Sequence, residues 1–180
     1  MGALSTTESF ELGGSLYVSD FITGIDGWAR QLGTTPTFTA NQTSPSGVDG
    51  MLKIQYPSGS VQGTNYRVNT QNTSTLPTGS AKDFGLTISL EIEGDADAVL
   101  AFGVFTNSSP GFLSFVSAFD GSWNLEGASS DTLYTYSTTV TGGVINPTNQ
   151  GLYLQFYPAA LKDLADATIY VKDIGWYYYD

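Results

Sequence analysis

Paired carboxylates are the first place to look for chemistry in this sequence, and Glu91-Ile92-Glu93 supplies the clearest pair. In an extended strand, residues two apart point to the same side, so both carboxylates share one face, with Asp95 two residues further on. Two such groups facing one bond can divide the acid and nucleophile roles of glycoside hydrolysis. Gly94 interrupts the array: a turn there sends Asp95 elsewhere and leaves an ordinary solvated strand face. The chain contains no His and no Cys. That removes the usual triads and dyads, imidazole or thiolate zinc sites, and the side chain that most readily titrates near neutral pH. A catalytic role is not expected.

Aromatic residues make the better case. Sugar rings stack on Trp and Tyr faces while neighbouring amides and charged groups bond their hydroxyls. Trp123 follows the Asp120-Gly121 turn, Tyr134 and Tyr136 lie two apart on one strand face, and Tyr66 adjoins Arg67. These five residues are the candidates for a glycan-binding face. The competing explanation is that outward Tyr simply suits strands and that Trp123 belongs partly to the core, as is expected of Trp28 and Trp176. A second cluster is the terminal run Trp176-Tyr177-Tyr178-Tyr179. With Leu4 and Phe10 from the other end, it is a candidate contact with neighbouring subunits, where Tyr and Trp are enriched; strand-end packing within one domain would use the same residues.

The elements that must position these residues are strands. Leu86, Ile88, Leu90 and Ile92 alternate with Thr87, Ser89, Glu91 and Glu93, and Leu152, Leu154 and Phe156 alternate with Tyr153, Gln155 and Tyr157. Further strands are expected at 15–21, 36–40, 51–56, 65–68, 98–106, 112–119, 122–125, 132–140 and 168–176. Asp120-Gly121 is a two-residue hairpin signal and Gly94-Asp95 a second. Pro45-Ser46-Gly47, Pro57-Ser58-Gly59 and Pro77-Thr78-Gly79 mark loops. Only 158–167 has any helical character, as a surface turn. Many short strands separated by turns predict a single-domain, all-β, antiparallel sandwich over residues 15–180, preceded by an N-terminal arm over 1–14.

Composition narrows the partners. Charged residues make up 13% of the 180-residue chain, against roughly 25% in typical soluble domains. Acids outnumber bases 17 to 6, for a net charge of −11. A phosphate-neutralising surface is therefore not expected, and nucleic acid is excluded as a partner. No segment approaches 18 apolar residues, so no membrane-spanning helix is expected. The N-terminal residues have neither the basic nor the apolar region of a secretion signal.

The order of features resembles the carbohydrate-binding modules of the galactose-binding-like jelly-roll type. The resemblance rests on Asp20-Phe21 followed by Asp26-Gly27-Trp28, on Ser46-Gly47 and Gly50-Met51-Leu52-Lys53-Ile54, and on the closing Thr168-Ile169-Tyr170-Val171-Lys172-Asp173-Ile174. It implies a jelly roll and a structural Ca²⁺ held by Asp20, Asp49 and Asp173, although Ile22 stands where the family commonly has Glu. Two functional classes follow. The first expectation is a non-catalytic assembly protein, a capsid decoration or appendage protein of a bacteriophage particle, contacting other particle subunits and weakly binding glycan. Its warrant is a start at Met1 and no attached domain. The alternative is an extracellular carbohydrate-binding module of a polysaccharide-degrading enzyme, with polysaccharide as its partner.

Overall fold

A computed structural model describes the backbone of residues 12–63, 66–70, 82–107, 112–114, 123–124, 129–143 and 152–179. The alternating run at its centre builds β6 (Lys82–Gly94), in which Leu86, Ile88, Leu90 and Ile92 are all buried. On one side β6 pairs with β10 (Tyr134–Gly143), and on the other with β12 (Ala167–Tyr179). The first half of β12 bonds β4 (Met51–Gln55), which pairs with β3 (Thr37–Gln42). The second half bonds β1 (Leu12–Ser19). Asp173, at a positive φ of 52°, forms the bulge between the two halves.

The second sheet runs β2 (Ala29–Leu32), β5 (Tyr66–Thr70), β11 (Leu152–Pro158), β7 (Val99–Asn107) and β8 (Phe112–Ser114), with β9 (Trp123–Asn124) also on β7. Every pairing is antiparallel and most join strands distant in sequence, giving an all-β jelly-roll sandwich. Trp28, Phe21, Leu52, Ile54, Tyr66, Phe156 and Trp176 fill the space between the sheets. Asp26 and Gly27, both at positive φ, turn Trp28 inward, where its indole N–H donates to the Tyr17 hydroxyl at 2.8 Å.

Several expectations change here. Gly94-Asp95 is not a hairpin: Gly94 closes β6 in the first sheet, and a 3₁₀ turn at Ala96–Ala98 carries the chain across to β7 in the second. Leu12, Gly13 and Gly14, expected in an arm, belong to β1, opposite Tyr178 and Tyr179. β2 was not anticipated; its four residues show no run of alternation long enough to read. The turn-like character of 158–167 resolves into a 3₁₀ turn at Leu164–Asp166. Asp120-Gly121, Pro77-Thr78-Gly79, Leu4 and Phe10 lie outside the described residues.

The terminal aromatic run is the end of a paired strand. Trp176 is fully buried and Tyr178 packs against the core, while Tyr177 and Tyr179 take the opposite side of β12. Alternation within a paired strand explains this: half of the run is needed to close the domain's own core.

Two carboxylates fasten loops to this frame. Glu91, fully buried on the outer side of β6, accepts the Ser46 backbone N–H at 2.9 Å and the Ser46 hydroxyl at 2.6 Å, tying down the loop between β3 and β4. Glu91→Gln leaves an amide N–H₂ facing a donor, and a loss of about 1–3 kcal/mol in chemical denaturation is expected. Asp163 accepts backbone N–H groups of Gly59 (2.6 Å), Ser60 (3.0 Å) and Ala165 (3.0 Å). These bonds hold its carboxyl below the ordinary 3.8, the Ala165 bond contributing most. Because the folded value is depressed, the stabilisation is complete above the unfolded value and is lost as pH falls through the folded one. Asp163→Ala is expected to lower stability by about 1 kcal/mol at neutral pH. In paired melts, that gap should narrow as the pH falls below the ordinary carboxylate range.

Candidate functional site

The outer face of the second sheet brings together a polar array that alternation along two adjacent strands dictates. On β5, Tyr66 and Val68 are buried against the core, so Arg67 and Asn69 point the other way. On β11, Leu154 and Phe156 are buried against the core, which turns Gln155 and Tyr157 outward. Register sets Arg67 opposite Gln155, and Gln155 opposite Gly103. The next rows place Asn69 opposite Tyr153 and Tyr157 opposite Ala101.

The arrangement is held tightly. Arg67 donates from Nε (2.9 Å) and Nη2 (2.5 Å) to the Gln155 amide oxygen. Although outward-facing, Gln155 is only 4% exposed and Asn69 8%. A guanidinium held by a neutral amide keeps its charge while its fork is fixed in plane. Burial raises the Tyr157 hydroxyl pKa above its ordinary value, with the Arg67 charge acting weakly in the opposite sense. Tyr157 is therefore a neutral phenol at physiological pH. Amide, guanidinium and phenol at fixed spacing can donate to and accept from hydroxyl groups; the set contains no nucleophile paired with a base.

Of the five residues expected to form a glycan face, only Arg67 lies in this array. Tyr66 is 2% exposed, its hydroxyl donates to the Val61 carbonyl at 2.9 Å, and its ring meets Tyr56 edge-on. Tyr134 and Tyr136 belong to the other sheet, opposite buried Leu90 and Ile88, and stack on each other at 6.4 Å. The Tyr134 hydroxyl accepts the Ser129 N–H. Trp123 is paired with Phe102 in the backbone register of β9 and β7, and its side chain lies outside the described residues. Pairing on the same strand face is thus real for Tyr134 and Tyr136, but the face is the inner one. The array instead uses Gln155, Asn69 and Tyr157. The alternation of β11 marked the odd-numbered residues as outward; what it could not mark was β5 as the neighbour.

The other chemical candidates are engaged elsewhere. Glu93 accepts the Tyr170 hydroxyl at 2.8 Å, Glu91 is committed to Ser46, and Asp95 pairs with Lys162. No three acids among the described residues converge in a way that could hold a metal. Asp20 accepts the Ile22 N–H, Asp49 accepts the Thr43 hydroxyl, and the Lys172 ammonium donates to the Asp49 carbonyl. The Ile22 side chain lies against Gly50 beside the Asp20 carbonyl. The expectation of a Ca²⁺ held by Asp20, Asp49 and Asp173 is not tested by these contacts.

No family model matches the sequence, and no curated protein is significantly similar to it. Solved structures share its fold. The CBM22-2 xylan-binding domain of Paenibacillus barcinonensis Xyn10C superposes with a TM-score of 0.54 at 12% identity, covering 91% of this chain and 99% of that domain. A CBM4 structure gives 0.53 at 19%, covering 88% and 99%. The arabinose-bound α-L-arabinofuranosidase MgGH51 gives 0.55 at 10%, covering 97% of this chain but 27% of the enzyme. The chain thus spans about a quarter of that enzyme and nearly all of each binding module. At these identities the shared property is the jelly roll.

With Tyr157 neutral and no His in the chain, any ligand bound on this array should bind with unchanged affinity from about pH 5 to about pH 9. Calorimetric titration across that range checks it; a transition inside it would assign recognition to other groups.

Proposed function

We propose that the chain is a non-catalytic polysaccharide-binding module acting through the outer face of its second sheet. The observation that carries the reading is the half-buried Arg67 held on the buried Gln155 amide, both on an outward strand face and flanked by Asn69 and Tyr157. Buried polar groups on a solvent side are expensive unless they are satisfied and useful, and fixed donors beside aromatic residues are what discriminate sugar hydroxyls. The likeness to domains described as xylan-binding and CBM4 supports this reading, because those domains match the chain over almost their full length. The setting it favours is extracellular, beside a polysaccharide-degrading enzyme.

Particle decoration, the other functional class, draws nothing from these observations. The aromatic run that suggested subunit contact is spent half on the domain's own core.

Affinity electrophoresis in gels containing soluble xylan, mixed-linkage β-glucan or galactomannan tests the proposal. Arg67→Ala is expected to reduce retention on the bound polymer about tenfold or more, the loss of a charged hydrogen-bond partner costing on the order of 1.5–3 kcal/mol. Arg67→Lys should recover little, since it restores charge without the planar fork. Retention equal to wild type in both variants would overturn the assignment of this face.

A further inference from the structure

The first sheet also carries a groove on its outer side, and it is built from residues that the Arg67 face does not use. It has a volume of about 540 Å³ and is lined by Gly85, Thr87, Ser137, Thr139, Tyr177 and Tyr179. Sites for small ligands typically span a few hundred to about a thousand Å³. The register explains the lining. Ser137, Thr87 and Gly175 stand side by side on β10, β6 and β12, and Thr139, Gly85 and Tyr177 form the next row. Leu86 and Trp176 between them face the core, so these rows face out.

Glycine makes the groove possible. At Gly85 a Cβ would fall 2.6 Å from the Tyr179 hydroxyl oxygen, and at Gly175 a Cβ would collide with the ring of Tyr177. Each tyrosine therefore lies back along the sheet over a bare backbone instead of standing away from it. A glycine inside a paired strand weakens that strand and frequently marks a place where another group approaches closely. Here two neighbouring central strands each contain one, and the half-buried Tyr179 and Tyr177 rings lie over them. Beside the rings, the Thr87 and Ser137 hydroxyls share a hydrogen bond of 2.7 Å, and Thr139 is exposed.

Among the described residues none of the groove's lining side chains is charged, and Asp83 stands one row beyond them, opposite Tyr179. An uncharged ligand is favoured. Hydroxyls that both donate and accept, next to aromatic faces, match the alternating hydroxyl and C–H surfaces of a pyranose ring. We infer that this groove is a second binding site for neutral glycan, on the side of the sandwich opposite the Arg67 face. The inference deepens the polysaccharide-binding reading and rests on it for the ligand class, while the site itself is separate. A chain with glycan sites on both outer faces binds one polymer more tightly by effective concentration, or bridges two polymers.

Titration calorimetry with xylohexaose, cellohexaose and mannohexaose tests both sites together. Wild type is expected to show two sites per chain for at least one of these sugars. Ser137→Arg, at an exposed position that leaves the core untouched, should fill the groove and remove one site, and Tyr177→Ala with Tyr179→Ala should weaken that same site about tenfold or more. Arg67→Ala should remove the other. An unchanged melting temperature for Ser137→Arg shows that its effect is not unfolding. A single site abolished by Arg67→Ala and indifferent to Ser137→Arg would overturn the groove and leave the first face standing. A site sensitive to Ser137→Arg with none sensitive to Arg67→Ala would overturn the first face and keep the groove. No binding of any of the three sugars would overturn both.

Discussion

β12 is hydrogen-bonded along both edges, to β6 over nearly its whole length on one side and to β4 and then β1 on the other. Three segments far apart in sequence are thus held in register by one strand, whose Val171, Ile174 and Trp176 are withdrawn from water. A strand paired on both sides can neither slip nor turn over without exposing its entire apolar set. The bulge at Asp173 lets it serve two partners by absorbing one extra residue where β4 gives way to β1.

Fixing β12 also fixes what each outer surface can be. The glycine of its second half and the glycine of β6 beside it leave a depression that Tyr177 and Tyr179 partly roof. The first half, with Tyr170 beside Glu93 and Lys172 reaching the Asp49 carbonyl, is covered by the loop that buried Glu91 fastens down. One face is thereby divided into a closed half and an open half. The second sheet carries its polar array in the middle, where β5 and β11 meet. A sandwich with polar groups withdrawn from water on both outer sides is organised around those sides as much as around its core. The absence of a positive surface and the engagement of the carboxylates with structural partners both weigh against charge-driven or acid–base chemistry here.

Much of the fold was legible along the chain. Alternation marked β6 and β11, Trp28 and Trp176 were expected in the core, and many short strands separated by turns marked an all-β sandwich. The site was only partly legible. Arg67 could be singled out because it is one of few cations and adjoins an aromatic residue. Tyr66 beside it had to face the opposite way, since neighbours on a strand alternate sides.

By itself, then, the sequence determined the strand content, the absence of His and Cys chemistry, and which residues along each strand share a face. It did not determine whether that face is the inner or the outer one at the sheet edge, where Tyr134 and Tyr136 stand in the rows of buried Leu90 and Ile88. Nor did it reveal that Gln155 lies against Arg67, 88 positions away, or that glycines on β6 and β12 meet beneath two tyrosines. Those facts depend on which strands become neighbours and in what register. That is a property of the packed sheets, because every pairing that creates a surface site here joins residues whose proximity exists only after the chain has folded.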